Sequence, residues 1–259
     1  MSRLEQIKQL NRMLLAELPQ YREQAEAFPP DETSQRRLLR SLMNVRPPVP
    51  ASAEFLAVQD AYLRERLAER GVTRLTDLTP MRPGMYLWQG DITTLAADAI
   101  VNAANSQMLG CFVPCHGCID NAIHTYAGLQ LRLECAEIMR RQGHEEETGR
   151  AKITKAYNLP CRYVLHTVGP IICGSVTRAD REQLADCYRS CLELAAERGL
   201  HSVAFCCIST GEFHFPNEWA ARIAIQTVRG WQRQNPDKIE VIFNVFKDRD
   251  YAIYQRLLP

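Results

Sequence analysis

The chain of 259 residues lacks a long apolar segment and lacks an excess of charge of either sign. Its apolar stretches are shorter than the roughly 20 residues that cross a bilayer as a helix, so we expect no membrane partner. The 31 basic and 30 acidic side chains leave a formal net charge of +1. This balance provides no broad positive surface for nucleic acid. These absences predict a globular protein of ordinary composition.

The sequence also lacks an export signal and any early cysteine. No apolar run follows the N-terminal residues Met-Ser-Arg-Leu-Glu-Gln, so we expect a cytoplasmic protein. In that compartment its ten cysteines stay reduced. None of them precedes Cys111, and three fall between Cys111 and Cys118. Such a cluster indicates metal binding or chemistry rather than disulfides.

Two glycine-rich nucleotide-binding signatures are missing. No Gly-x-Gly-x-x-Gly motif occurs, which disfavours a nicotinamide-dinucleotide fold, and no Gly-Lys-Ser/Thr motif of a P-loop occurs either. A local anion site remains compatible with the sequence, because one helix N-terminus can supply it without a basic surface.

Residues 1–75 have the pattern of a helical extension. Apolar residues recur at helical spacing over 4–18, and further helices are predicted at 32–44 and 53–70. We expect this extension to pack on the main domain, with a separate partner-docking role as the alternative.

Strands and helices alternate over residues 76–259. The predicted strands span 85–89, 99–102, 152–158, 163–167, 202–208 and 238–245, and the predicted helices span 118–142, 181–198, 217–234 and 248–257. This alternation predicts an α/β fold with helices on both faces of a mixed sheet. In that class, ligands bind beyond the carboxyl ends of the central strands.

Cys111, His116 and Cys118 offer two thiolates and one imidazole within eight positions. Zinc prefers these ligands, and a lone triplet leaves a position open for water or substrate, as in catalytic sites. Cys115 competes as a fourth ligand, although neighbours in sequence seldom both point at one ion. The alternative interpretation is a set of reduced, partly buried cysteines.

Asp120 lies two residues after Cys118, at the start of a predicted helix. Its carboxylate either stabilises the positive end of that helix or acts beside the metal as a base or a ribose contact. His124, one turn further on, is expected to pack inside the domain rather than to bind metal.

Polar residues follow three of the predicted strands. Asn102 and Asn105 carry amides that suit a polyhydroxylated ligand, unless they bond to neighbouring backbone. The Ser-Thr-Gly segment at 209–211 precedes a helix, where backbone N–H groups bind phosphate. Asp91 is either a turn residue or a ligand contact.

Taken together, these segments resemble the macrodomain family, in particular its zinc-containing branch near the MacroD type. The ordered motifs are Gly-Asp-Ile at 90–92, Ile-Val-Asn-Ala-Ala-Asn-Ser at 100–106, Asp-Asn-Ala-Ile-His at 120–124, His-Thr-Val-Gly-Pro at 166–170 and the segment 209–216. Where ordinary MacroD-type domains carry a glycine-rich run, this chain has Cys-Phe-Val-Pro-Cys-His-Gly-Cys at 111–118. The resemblance implies a three-layer α/β/α sandwich with a mixed central sheet over 76–259, preceded by the helical extension.

The resemblance also implies a role for each candidate site residue. The metal ligands are Cys111, His116 and Cys118, which bind one Zn²⁺ per chain and leave Cys115 free. The substrate-binding residues are Asp91 and Ile92 at the adenine end, and Ser209, Thr210, Gly211, Glu212 and Phe213 around the diphosphate, with Phe213 bordering the distal ribose. Asn105 and Asp120 are implied to be catalytic at that ribose. His214 stands where many macrodomains have glycine.

The implied function is zinc-dependent hydrolysis of the bond between ribose C1″ and a protein side chain, which releases ADP-ribose. The implied partners are mono-ADP-ribosylated proteins, among them a lipoyl carrier related to the glycine cleavage H protein, and a sirtuin-type ADP-ribosyltransferase. A monomer is expected, because no segment has the pattern of an association helix. The alternative function is a non-catalytic ADP-ribose-binding module with a structural zinc.

Overall fold

The computed structural model describes residues 2–258. Its helices are α1 (Arg3–Glu17), α2 (Arg22–Glu26), α3 (Glu32–Val45), α4 (Ala53–Arg70), α5 (Ile119–Ala127), α6 (Leu129–Gln142), α7 (Arg178–Glu197), α8 (Asn217–Gln234) and α9 (Asp248–Leu257). Its strands are β1 (Thr73–Arg74), β2 (Pro80–Arg82), β3 (Met85–Gln89), β4 (Leu95–Ala96), β5 (Ala99–Ala104), β6 (Ala151–Lys155), β7 (Tyr163–Val168), β8 (Ser202–Phe205) and β9 (Glu240–Val245).

Seven strands form one mixed sheet in the order β2-β3-β9-β8-β5-β7-β6. The five central strands run parallel, whereas β2 and β6 pair antiparallel at the two edges. The predicted α/β fold with a mixed sheet is therefore confirmed. Because the central strands are parallel, their carboxyl ends lie along one edge, where ligands bind in this class of fold.

Helices cover both faces of this sheet and complete three layers. Strands β7, β8 and β9 follow one another through α7 and α8, so right-handed crossovers place both helices on one face, and α9 packs beside α8. Helices α5 and α6 cover the other face. The core strands β8 and β9 are buried almost throughout, which explains their continuous apolar runs. Within residues 2–258, no helix combines the length and the apolar character needed to cross a bilayer.

Helices α1–α4 bury a second apolar cluster of their own, which includes Leu129 from α6. The three long helices of this group begin at side chains that cap them: Ser2, Asp31 and Ser52 each accept a hydrogen bond from a backbone N–H in the first turn. Helix α3 lies against α5, and β1 pairs with β4. The division of the chain into 1–75 and 76–259 remains a prediction.

The single helix predicted at 118–142 is wrong, because the chain breaks it into α5 and α6 at Gly128. This glycine has a φ of +96°, a backbone conformation that residues with a side chain rarely adopt. A Cβ there would lie 2.6 Å from Nε2 of Gln59 in α4, and Oε1 of Gln59 accepts a hydrogen bond from the Leu129 N–H at 2.9 Å. The break thus lets the extension approach the α6 N-terminus.

Other predicted boundaries shift by a few residues. The strands expected at 152–158 and 202–208 are shorter, since the chain leaves the sheet after Lys155 and after Phe205. Helix α7 begins three residues earlier than predicted, at Arg178, because Thr177 and Asp180 form a capping box. The short strands β1, β2 and β4 were not predicted, because two or three residues are too few to show an alternation of apolar and polar side chains.

We expect Gly128→Ala to lower the free energy of unfolding by about 1–3 kcal/mol, because it combines a positive φ with a steric clash against Gln59. Gly230→Ala is the matched control, since a Cβ at that position in α8 meets no atom within 4 Å and should stabilise the helix. Urea unfolding of both variants measures the difference. Equal midpoints for the two variants would contradict the role assigned to Gly128.

Candidate active site

A buried chain of hydrogen bonds joins the central strands to the start of α5. Asn102 of β5 donates through Nδ2 to Oδ1 of Asp120 at 2.8 Å and contacts Nδ1 of His166 in β7 at 3.2 Å. Because the Asn102 amide nitrogen only donates, Nδ1 accepts and the His166 proton is assigned to Nε2. That atom lies 2.9 Å from the Thr154 hydroxyl. The sheet therefore fixes the orientation of the Asp120 carboxylate.

The Asp120 side chain is almost completely buried. Burial raises its pKa to about 6, and this effect outweighs the opposing effects of the Asn102 hydrogen bond and of the positive charge on Arg132. A carboxylate in this position is poorly hydrated, and it is bound by one directional donor. Such a group accepts a proton more readily than an exposed aspartate.

His124 lies beside Asp120, with Nε2 at 3.6 Å from the carboxylate oxygen Oδ1. Burial lowers its pKa well below the usual value, so the ring is neutral. Neither ring nitrogen has a hydrogen-bond partner in the described part of the chain, and a Cβ at Gly110 would lie 2.7 Å from the ring. The structure places His124 in the packed interior, as expected.

The side chains of Cys111, His116 and Cys118 converge on one point at the mouth of the site. Their ligand atoms all lie within 4.8 Å of one another, and Sγ of Cys111 is 3.6 Å from Nδ1 of His116. Burial raises the pKa of the Cys118 thiol to about 12, so a thiolate there needs a neighbouring cation. Nε2 of His116 faces Glu212 at 3.7 Å, as a carboxylate orients a metal-binding histidine from behind.

Cys115 points away from this group and toward α3. It has a φ of +53°, and its Sγ lies 3.3 Å from the hydroxyl of Ser41. Its backbone N–H donates to Oδ1 of Asn44 at 2.9 Å. The turn at Cys115 thus separates it from the two other cysteines of the loop.

The loop 111–118, which we call the cysteine loop, is held by the extension. Arg40 of α3 donates to Oδ1 of Asn121 at 2.7 Å and to the carbonyl oxygen of His116 at 3.0 Å. Asn121 in turn donates through Nδ2 to the carbonyl oxygen of Val113 at 3.0 Å. The two Arg40 contacts span 76 and 81 positions of sequence, and all three contacts fix the backbone that carries His116.

Arg132 connects the C-terminal end of α3 to the same region. Its Nη1 lies within hydrogen-bond distance of three backbone carbonyl oxygens at that end, of Met43, Asn44 and Arg46, as a cation stabilises the negative end of a helix. Its guanidinium also lies 4.2 Å from the ring centroid of Phe112 in the cysteine loop. The Arg132 side chain therefore holds both the extension and the loop in place.

The segment 209–215 is a tight loop at the carboxyl end of β8. Ser209 has a φ of +62° and His214 a φ of +57°, and the Phe215 N–H donates to the carbonyl oxygen of Ser209 at 2.9 Å. Gly169 is required beside it, because a Cβ there would lie 2.0 Å from Oγ of Ser209. The buried Ser209 hydroxyl has no partner within residues 2–258.

Three backbone N–H groups of this loop remain available. Those of Gly211, Glu212 and Phe213 donate to no backbone or side-chain acceptor among the described residues. Gly211 and Glu212 are exposed and Phe213 is half-buried. Consecutive free N–H groups ahead of a helix form an anion-binding concavity.

Asp91 caps a short 3₁₀ turn at the carboxyl end of β3. Its Oδ1 accepts from the N–H of Thr93 at 3.0 Å, and its Oδ2 accepts from Nη1 of Arg70 in α4 at 2.9 Å. The Asp91 side chain stays 39% exposed and can still meet a ligand. Ile92 is buried in the core, so only its backbone can touch one.

Asn105 shapes the turn that leads from β5 to the cysteine loop. Its Oδ1 accepts from the N–H groups of Gln107 and Met108, both at 3.1 Å, and its Nδ2 donates to the carbonyl oxygen of Gly110 at 3.2 Å. One hydrogen of the amide nitrogen remains for a ligand.

A second group of potential ligands lies deeper, formed by His124, Cys135 and His166. Both ring nitrogens of His166 are already engaged by Asn102 and Thr154. Burial raises the pKa of the Cys135 thiol, which keeps it protonated. This group therefore belongs to the hydrogen-bonded interior behind Asp120.

Comparison with known proteins gives matches over most of the chain. Residues 101–224 match the Macro domain family. A protein-ADP-ribose hydrolase from Treponema medium is 57% identical over 249 residues, which cover 95% of each chain. The chain belongs to the macro domain family.

Two further macro domain relatives span most of the molecule. A protein-ADP-ribose hydrolase from Staphylococcus aureus (strain MSSA476) is 54% identical over 220 residues, 84% of this chain and 82% of the relative. The solved macrodomain of Trypanosoma brucei in complex with ADP-ribose is 33% identical, with a TM-score of 0.66, and covers 85% of this chain and 95% of its own.

Several residues that shape this macro domain site carried no signal in the sequence. Arg40, Asn44 and Arg70 lie in helices without a glycine-rich or cysteine-rich motif, and their partners are remote in sequence. Arg132 resembles any arginine on a surface helix until the fold buries it. The one sequence feature that could have indicated such a residue is a basic side chain on the buried face of a predicted helix.

We expect Arg40→Met to lower the free energy of unfolding by about 1–3 kcal/mol, because the buried Asn121 carboxamide oxygen loses its charged donor. Arg64→Met is the matched control, since Arg64 of α4 is exposed and makes no side-chain hydrogen bond within residues 2–258. Urea unfolding compares the two variants. An equal loss in both would show that Arg40 does not anchor the cysteine loop.

Proposed function

We propose that this macro domain is a zinc-dependent hydrolase that removes mono-ADP-ribose from protein side chains and releases ADP-ribose. The observation that carries the proposal is the juxtaposition of the buried Asp120 carboxylate and the Cys111–His116–Cys118 group at the mouth of the site. A domain that only binds ADP-ribose needs neither feature. The names of the two bacterial relatives, both protein-ADP-ribose hydrolases, support the same activity.

The three side chains fit a zinc ion. Tetrahedral zinc with sulfur and nitrogen ligands separates those ligand atoms by about 3.5–3.8 Å, and Sγ of Cys111 lies 3.6 Å from Nδ1 of His116. Two thiols and one imidazole are the donors that zinc prefers, and three protein ligands leave one position open. We propose one zinc ion per chain, held by Cys111, His116 and Cys118. Bound there, it would supply a Lewis acid beside the distal ribose.

The remaining candidate residues are assigned to different parts of the ADP-ribose. The free N–H groups of the 209–213 loop suit the diphosphate, and Asp91 with the Ile92 backbone suits the adenine end. Phe213 and the free N–H of Asn105 border the distal ribose. The solved relative from Trypanosoma brucei was crystallised with ADP-ribose, which supports this class of ligand.

The chemistry assigned to the chain is a hydrolysis at C1″. Asp120 orients a water molecule and accepts its proton as the oxygen attacks C1″. The bond between C1″ and the protein side chain breaks, and the side chain leaves with its electron pair and takes up the proton that Asp120 received from the water. Asn102 keeps Asp120 pointed at the reacting centre throughout. The products are free ADP-ribose and the unmodified side chain.

The first test is release of ADP-ribose from a mono-ADP-ribosylated protein, with zinc content measured in the same preparation. We expect the native chain to carry about one zinc ion and to cleave. Cys111→Ala should lose the metal and the activity while staying folded, because it removes one of three ligands. Cys173→Ala is the matched control, since Cys173 is an exposed free thiol.

Two outcomes would contradict the proposal. Tight binding of ADP-ribose without release from any acceptor would assign the chain as a binding module. Full activity in metal-free protein would restrict the zinc to a structural role and leave hydrolysis to Asp120.

A second test addresses the carboxylate. We expect Asp120→Asn to slow ADP-ribose release by about 10²–10⁴-fold, because the amide cannot accept the proton. Binding of ADP-ribose, measured by calorimetry, should remain close to native, since the substitution keeps the size of the side chain. An unchanged rate would remove Asp120 from the reaction.

A further inference from the structure

A groove with a volume of about 480 Å³ lies between α3, α4 and α5, beside the cysteine loop. Four arginines line it: Arg36, Arg37 and Arg40 from α3, and Arg66 from α4. No carboxylate is among its lining residues in the described part of the chain. We call this cavity the arginine groove. Its charge contrasts with the near-neutral chain as a whole.

Two of these guanidinium groups are free to meet a ligand. Arg36 and Arg37 form no ion pair and no side-chain hydrogen bond within residues 2–258, whereas Arg66 pairs with Glu69 and Arg40 is engaged by the cysteine loop. Each free guanidinium presents five N–H donors in a planar fork. A concave surface lined by one sign of charge also focuses the electrostatic potential.

Another groove lined by arginines has a smaller excess of positive charge. It lies between α7 and α8 and also contains Arg178 and Arg189. There, Arg178 pairs with Glu182, Arg189 pairs with Asp186, and both carboxylates line the groove. Two of its three arginines are thus neutralised by their own helix and Arg181 is not, whereas no carboxylate lines the arginine groove.

The arginine groove adjoins the proposed reaction centre. Cys115 lines the groove and belongs to the cysteine loop, and Arg40 donates to the carbonyl oxygen of His116 at 3.0 Å. The His116 ring of the same loop faces Glu212 of the segment 209–215. The groove therefore begins beside the cysteine loop, which also carries the ligands of the proposed zinc site.

We propose that the arginine groove binds acidic residues that flank the modified side chain of the ADP-ribosylated protein. This inference rests on the proposed function, because it assigns a substrate class to the same site. Carboxylates match guanidinium groups in charge and in their bidentate geometry. A single short groove suits one or two carboxylates better than the extended phosphate backbone of a nucleic acid.

The direct test measures binding of a short, fluorescein-labelled, glutamate-rich peptide by fluorescence polarisation at low ionic strength. The comparison peptide has glutamine in place of every glutamate. We expect the native protein to bind the glutamate peptide more tightly, and the double variant R36E/R37E to weaken that binding by about tenfold or more, because two attractions become repulsions. The neutral double variant R36Q/R37Q should fall between the two.

The matched control is Arg64→Glu, which changes the net charge of the same extension outside the groove. It should leave binding of the glutamate peptide close to native. Circular dichroism and urea unfolding of every variant establish that the helices remain intact.

A kinetic arm uses the two peptides with one mono-ADP-ribosylated side chain each. For R36E/R37E we expect KM for the glutamate peptide to rise about tenfold with kcat unchanged, because only substrate docking is lost. KM for the glutamine peptide should not change. If neither peptide is hydrolysed by the native protein, the proposed function fails, while the binding measurement still decides the role of the groove.

Three results would overturn the inference. The first is equal binding of both peptides to the native protein. The second is an equal loss of binding in R64E and R36E/R37E, which would indicate unspecific attraction. The third is tighter binding of a single-stranded oligonucleotide than of the glutamate peptide, with that binding lost in R36E/R37E. This result would assign the groove to nucleic acid.

Discussion

The hydrogen bond from Asn102 to Asp120 joins the central sheet to the first turn of α5. The candidate site is built around this contact, because it brings the carboxyl edge of β5 and β7 to the cysteine loop. Asn102 and His166 are both completely buried, so neither can turn toward water without breaking the network. A buried polar network of this kind is stable only when its members keep their partners, and it therefore imposes one geometry. The Asp120 carboxylate therefore takes its position from the sheet rather than from its own loop.

The helical extension contributes to the site as well as to the apolar core. Arg40 and Asn44 hold the cysteine loop, Arg70 reaches Asp91 at the carboxyl end of β3, and the break at Gly128 lets Gln59 approach α6. Each contact crosses between parts of the chain that are remote in sequence. The arginine groove is a consequence of the same packing, since it forms only where α3 and α4 meet α5.

Two of the predicted site residues act differently from the simplest expectation. Ile92 buries its side chain in the core, so its contribution to a ligand is limited to the backbone. The Asn105 side chain makes three hydrogen bonds to the backbone of the turn at 107–110. Bonding to neighbouring backbone was the alternative interpretation of this residue. For both residues, the fold decides which atoms remain for a ligand.

The order of strands and helices, the mixed sheet and the cluster of zinc-preferring side chains were determined by the sequence itself. Alternation of apolar residues and the spacing of Cys111, His116 and Cys118 are local properties, and local patterns persist whatever the chain packs against. The tertiary structure alone decided that Cys115 turns away, that Gly128 divides a predicted helix, and that Arg36 and Arg37 share a groove without carboxylates. These features depend on contacts between residues 70 to 78 positions apart, and no spacing along the chain encodes which surfaces will meet.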